Sequence, residues 1–146
     1  MTRVTLLVNT NEVYDDVMDE TGGGTWKRAA ALGAAAVWLH QGLWCKVLSG
    51  DPAHREVLGS IPGLGEHQAR VATTALGAAE TALALVVATG GRRRSVAVLQ
   101  TALVAAFNAG GLAVGRAHIA HPGRLLVRNG AFVALIWSAV DDPRHG

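Results

Sequence analysis

The sequence predicts an all-α protein, a bundle of four transmembrane helices with both termini cytoplasmic. Half of its 146 residues are hydrophobic and only 16% are charged, whereas an average soluble domain carries about 25% charged residues. Four apolar segments follow Trp26, and the third, Ser95 to Gly115, carries no charge. A helix there would lack the polar face that a soluble bundle gives each helix. A soluble four-helix bundle with unusually apolar helices is the alternative.

Residues 1–25 differ from the rest and are predicted to form a polar, poorly ordered or interfacial tail. The short apolar run Val4 to Val8 precedes a group of acidic residues and then Gly22-Gly23-Gly24. Such a composition is typical of weakly ordered termini. No basic region followed by an apolar stretch is present at the start, so no cleavable signal peptide is expected. Met18 is an alternative start of the chain.

The membrane domain is predicted to cover residues 26–142. Crossing the hydrocarbon core takes about 20 predominantly apolar residues. The third segment meets that length unaided, and the second meets it if Glu80 is tolerated within the span. The first and fourth need flanking residues to reach the membrane surface. The four helices are placed at about 27–47, 69–90, 95–115 and 124–140.

The connections between these helices carry the orientation signals. Arg92-Arg93-Arg94 lies between the second and third helices, and cytoplasmic loops are enriched in Lys and Arg. That connection is therefore predicted to be cytoplasmic, and the connections at 46–70 and 116–124 to face outward. Within the first of these, Asp51-Pro52 is typical of a helix start. A short helix through Leu58 is expected, either on the membrane surface or as a lid over the bundle.

Polar residues at membrane depth are the candidate binding residues. A charge at the centre of a span costs about 2.5–3.5 kcal/mol on insertion scales, so intramembrane ionisable residues are functional candidates. Glu80 lies near the middle of the second helix, and its expected cationic partner is Arg128 or Lys46. One interpretation is a polar pocket centred on Glu80. The other is that these groups only satisfy one another and hold the helices in register. The predicted ligand-binding residues are His40, Gln41, Lys46, Glu80, Asn108, Arg128 and Asn129.

Other chemistries lack a sequence signal. The histidines do not have tight metal-ligand spacing, so no metal site is predicted. Cys45 is the single cysteine, which excludes an intramolecular disulfide and a CxxC redox pair. No nucleophile elbow, phosphate-binding loop or dinucleotide fingerprint occurs. No catalytic residue is predicted, no cofactor is evident, and the formal charge of +2 does not indicate a nucleic-acid partner.

Three motifs of the chain carry a family resemblance. They are Trp38-Leu39-His40-Gln41-Gly42-Leu43-Trp44-Cys45-Lys46 at the end of the first predicted helix, Gly77-Ala78-Ala79-Glu80 in the second, and Asn129 near the start of the fourth. In these motifs the chain resembles the DoxX-like family of small four-helix bacterial membrane proteins, whose first helix ends in a similar aromatic-Gly-Leu-Trp-x-Lys stretch, whose second helix has a Gly-x-x-Glu and whose fourth has an Asn near its start. The resemblance covers roughly Trp26 to Val140. It implies a multi-pass protein of the bacterial cytoplasmic membrane.

The resemblance also implies a quinone-linked role. The wider group includes a membrane subunit of a thiosulfate:quinone oxidoreductase, and some relatives act with thiol- or superoxide-handling partners. This chain has no CxxC, haem or flavin signature, so redox chemistry would need a partner protein. Beyond the lipid bilayer, the expected partners are therefore a soluble redox enzyme or further copies of the chain.

Three hypotheses for function follow. The first is a non-catalytic subunit or binder of a quinone- or lipid-like molecule, with the pocket at Glu80. The second is a membrane anchor or assembly factor for a soluble redox enzyme, contacted through Arg92-Arg93-Arg94 and the acidic tail. The third is a small transporter, which four helices could form only as an oligomer.

Overall fold

The computed structural model describes residues 10–48, 52–90, 94–119 and 121–140. Over these residues the chain is helical, without strands, which confirms the predicted all-α class. The elements in chain order are α1 (Thr10–Leu39), a π-helix (His40–Val47), α2 (Ala53–Gly59), α3 (Glu66–Ala88), α4 (Arg94–Val114), a 3-10 turn (Arg116–His118) and α5 (Pro122–Ser138).

The first helix begins well before the predicted start near residue 27. α1 runs from Thr10 to Leu39, so part of the predicted tail is helical, and residues 1–9 lie outside the described residues. Gly22-Gly23-Gly24 does not end the helix, although each interior glycine disfavours it by about 1 kcal/mol relative to alanine.

The other three long helices lie close to their predicted positions. α3, α4 and α5 each begin one to three residues before the predicted start and end one or two residues before the predicted end. Differences of this size are usual for helix ends, which fray. The first predicted helix ends at Val47 as expected, but its last eight residues form a π-helix. No feature of the sequence predicts that wider turn.

The long helices alternate in direction. Gly33 of α1 contacts Leu135 late in α5, and Trp38 contacts Phe132 earlier in α5, so these two helices are antiparallel. The π-helix continues α1 and packs against α3, which also packs against α1 itself, while α4 packs against α5. Alanines of α1 (Ala30, Ala31, Ala34) line the core. Their small side chains let neighbouring helices approach closely.

The short helix α2 lies across one end of the bundle. It contacts α3, α4, the π-helix and the 3-10 turn, and a Cβ built at Gly115 would lie 2.6 Å from Cγ1 of Val57. Pro52 stands just before the helix, and Asp51 lies outside the described residues. These contacts correspond to the lid alternative, because α2 covers the ends of α3 and α4.

Large apolar side chains are exposed on the outer faces of α3, α4 and α5. Leu85 of α3, Val98 of α4 and Val127 of α5 are 60%, 52% and 75% exposed. By length and composition, two helices of the described chain could cross a membrane: Glu66–Ala88 and Arg94–Val114. Both helices leave large apolar side chains on the outside of the bundle.

Candidate functional site

A buried ion pair joins the π-helix to α3. The Lys46 ammonium donates to both carboxylate oxygens of Glu80, with Nζ 2.8 Å from Oε1 and 2.7 Å from Oε2. The residues are 5% and 2% exposed. Of the two cations predicted as partners of Glu80, Lys46 therefore makes the contact. The protein interior tolerates each of these buried charges because the other charge compensates it.

Two glycines permit this pairing. A Cβ at Gly42 would lie 2.6 Å from the carbonyl oxygen of Gly77, and a Cβ at Gly77 would lie 2.6 Å from that of Gly42 and 2.7 Å from Cβ of Lys46. The π-helix and α3 thus cross with their backbones almost in contact. The same Cβ at Gly42 would lie 2.9 Å from Cβ of Glu80. The ionic residues therefore lie at the crossing itself, each opposite the glycine of the other helix.

The aromatic ring of Phe107 faces the ion pair from α4. Its centroid lies 5.8 Å from Nζ of Lys46, a distance at which a cation is attracted to the electron-rich ring face. Phe107 is half-buried and packs against the hydrophobic core. The ammonium of Lys46 therefore bonds to Glu80 on the side of α3 and faces the apolar ring of Phe107 on the side of α4.

A second polar contact lies next to Phe107. Asn129 of α5 donates from Nδ2 to Oδ1 of Asn108 in α4 at 2.6 Å, and Asn108 follows Phe107 in sequence. The predicted residues Lys46, Glu80, Asn108 and Asn129 thus form two pairs at neighbouring levels of the bundle. Each pair connects two helices, which is the arrangement expected if polar groups hold the helices in register.

About two turns before Asn108 in α4, a buried hydrogen bond links α1 to α4. The indole N–H of Trp38 donates to Oε1 of Gln100 at 2.8 Å, and the indole ring meets Phe132 edge-on with centroids 5.6 Å apart. Trp38 is 3% exposed and Gln100 also 3%. This contact was not predicted from the sequence. A buried tryptophan usually finds an acceptor, so a lone Gln in an otherwise apolar helix was the available signal.

Three of the predicted residues lie outside this group. His40 is exposed, and its Nε2 lies 3.7 Å from Sγ of Cys45. Gln41 is half-buried. Arg128 is exposed on α5 and lines a depression of about 180 Å³ together with His121, Arg124 and Leu125. Arg128 is therefore separate from Glu80, because it points to the surface of the bundle.

Metal-ligating side chains are not grouped in the part of the chain that the structure describes. Across residues 10–48, 52–90, 94–119 and 121–140, no group of three or more His, Cys, Asp or Glu side chains is placed to hold a metal ion. The polar interior of this bundle is built for pairing between helices.

The ion pair lies where the sequence carries its family signature. The Gly-Leu-Trp-x-Lys stretch supplies Gly42 and Lys46, and the Gly-x-x-Glu motif supplies Gly77 and Glu80. The model of the DoxX-like family matches residues 35–137, most of the chain. The chain belongs to the DoxX-like family. No curated protein and no solved structure matches it. The two motifs that contain Gly42 with Lys46 and Gly77 with Glu80 thus form one contact between two helices.

Proposed function

We propose that this DoxX-like protein is a multi-pass protein of the bacterial cytoplasmic membrane, crossed by α1 with the π-helix, α3, α4 and α5. The distribution of charge supports this topology. From Val71 to Thr89 the only charged residue is the buried Glu80, and Ser95 to Val114 has none. Charge inside and apolar residues outside reverse the usual arrangement of a soluble protein.

We further propose that the chain acts as a non-catalytic subunit that binds a quinone- or lipid-like molecule at the Lys46–Glu80 pair. An ammonium has three donors and a carboxylate about four lone-pair sites. The bonds between Lys46 and Glu80 use two donors and two lone pairs. A quinone carbonyl could accept the third N–H of Lys46, and a hydroxyl could donate to Glu80. The ring of Phe107 would then provide an apolar contact beside the headgroup.

Access to the pair requires a small opening of the bundle, because Lys46 and Glu80 are almost fully buried. Over the described residues, α3 and α4 make little backbone contact with each other, in contrast to α1 with α3 and α4 with α5. The side between α3 and α4 is therefore the proposed route. Phe107 lies on this route and would move first.

The anchor and transporter hypotheses draw on other parts of the chain. The anchor hypothesis needs Arg92 and Arg93, which lie outside the described residues, and the acidic side chains of the tail, which do too. The transporter hypothesis needs an oligomer. The ion pair is the observation that favours the binder.

The test is to extract the protein in mild detergent and identify co-purifying small molecules by mass spectrometry. Wild type, Glu80→Gln and Glu66→Gln would be compared at matched folded yield. Glu66 is the matched control because it is an exposed carboxylate on the same helix, paired with Arg70 at 3.4 Å. We expect wild type and Glu66→Gln to retain the same quinone or lipid and Glu80→Gln to lose it.

Two results would overturn the proposal in different ways. Equal retention in all three proteins would remove the binding site from the ion pair and leave Lys46–Glu80 as a contact that holds the helices together. Recovery of the protein from the soluble fraction without detergent would contradict the membrane topology itself.

A further inference from the structure

A cationic depression lies on the surface of α5, apart from the buried ion pair. It has a volume of about 180 Å³ and is lined by His121, Arg124, Leu125 and Arg128. Liquid water occupies about 30 Å³ per molecule, so the depression admits a group of several heavy atoms but no long chain.

The charges around this depression lack counterions in the described chain. His121, Arg124 and Arg128 are exposed, and their side chains take no part in the side-chain hydrogen bonds or ion pairs between described residues. Arg124 and Arg128 are four residues apart and therefore neighbours on the same face of α5. Like charges at this spacing repel, so an anion between them would relieve the repulsion.

The residues beside the depression indicate which kind of anion would bind there. Val127, beside Arg128, is 75% exposed, and no charged residue follows Arg128 in the rest of α5. A pair of arginines bordering an apolar surface is the arrangement expected at the boundary between lipid headgroups and acyl chains. Guanidinium groups bind phosphate oxygens through paired N–H donors.

We propose that this depression binds the phosphate headgroup of an anionic phospholipid, with an acyl chain against Val127. The inference rests on the membrane topology proposed above but not on ligand binding at Lys46–Glu80. An anionic headgroup fits better than a zwitterionic one, because a choline cation would be repelled by Arg124 and Arg128.

The test is native mass spectrometry of the detergent-purified protein, titrated with phosphatidylglycerol or with phosphatidylcholine of the same acyl chains. The test variant is Arg124→Gln/Arg128→Gln. The control, Arg70→Gln/Arg116→Gln, also removes two exposed cations. Since charge-assisted hydrogen bonds to phosphate are lost, phosphatidylglycerol should bind about tenfold more weakly to the test variant. The control should bind like wild type, and phosphatidylcholine should not distinguish the three proteins.

Each other outcome overturns the inference. Equal binding of both lipids by wild type, or an equal loss in both variants, would show that only general surface charge acts. Displacement of phosphatidylglycerol by equimolar inorganic phosphate would assign the depression to a free anion. A protein that needs detergent yet fails to discriminate the lipids would contradict this inference alone, whereas a protein soluble without detergent would contradict the membrane topology.

Discussion

Gly42 and Gly77 bring the backbones of the π-helix and α3 almost into contact. A Cβ on either glycine would lie 2.6 Å from the carbonyl oxygen of the other, closer than real Cβ atoms approach. The ion pair lies at the same crossing, because Cβ of Glu80 faces Gly42 and Cβ of Lys46 faces Gly77. The separation of the two helices and the geometry of Lys46–Glu80 therefore depend on each other. Two of the three motifs that carry the family resemblance thus meet at one crossing.

Replacement of either glycine by alanine should destabilise the protein. Gly42→Ala and Gly77→Ala would each force the helices apart, and overpacking of this kind typically destabilises by about 1–3 kcal/mol. Gly110→Ala is the control, because nothing lies within 4 Å of a Cβ there. Thermal unfolding in one detergent would measure the difference. Unchanged midpoints for Gly42→Ala and Gly77→Ala would contradict the close crossing.

The ion pair should behave as a coupled unit. Lys46→Met leaves a buried carboxylate and Glu80→Gln leaves a buried ammonium, and breaking a buried pair from one side typically destabilises by about 3–5 kcal/mol. The double variant leaves neither charge uncompensated. It should therefore be more stable than either single variant, with a large coupling energy in the double-mutant cycle.

Denaturation of all four proteins in the same detergent measures this coupling. The exposed pair Glu66–Arg70 gives the reference cycle, since exposed pairs contribute about 0–1 kcal/mol. Additive effects of Lys46→Met and Glu80→Gln would show that the two side chains do not depend on each other.

Most of the helical framework was predictable because apolar length alone indicates it. The charge-free stretch from Ser95 to Gly115 became α4 with nearly the same bounds. The start of α1 was not predictable in this way. Gly22-Gly23-Gly24 locally disfavours a helix, so a start after these glycines was expected, whereas α1 continues through them. The π-helix at His40–Val47 was also missed. Its wider turn fits the close approach to α3, and the residue types in this segment do not distinguish it from an α-helix.

At the candidate site, residue type identified the participants but not their partners. Glu80 and Lys46 stood out as charges in apolar segments, and Asn108 and Asn129 as amides. Spacing along separate helices could not distinguish Lys46 from Arg128 as the partner of Glu80. That choice depends on which faces meet, and Gly42 and Gly77 decide it by fixing where the helices cross.

The Trp38–Gln100 hydrogen bond should contribute to stability. Gln100→Leu would leave the buried indole N–H of Trp38 without its acceptor, which typically costs about 1–3 kcal/mol. Trp38→Phe in the Gln100→Leu background should recover part of that loss, since no donor is then left unpaired. Unfolding midpoints would test this, with Trp44→Phe as control because Trp44 is 57% exposed. Equal destabilisation by Gln100→Leu with and without Trp38→Phe would contradict the bond.

The proposed topology places the two ends of α3 on opposite sides of the membrane. His67 and Ser95 are both exposed, and α3 is the long helix between them. In a Cys45→Ala background, His67→Cys should react with a membrane-impermeant maleimide on intact cells, because the connection before α3 is proposed to face outward. Ser95→Cys should react only after permeabilisation. The reverse pattern would invert the orientation, and labelling of both from the same side would contradict a membrane-crossing α3.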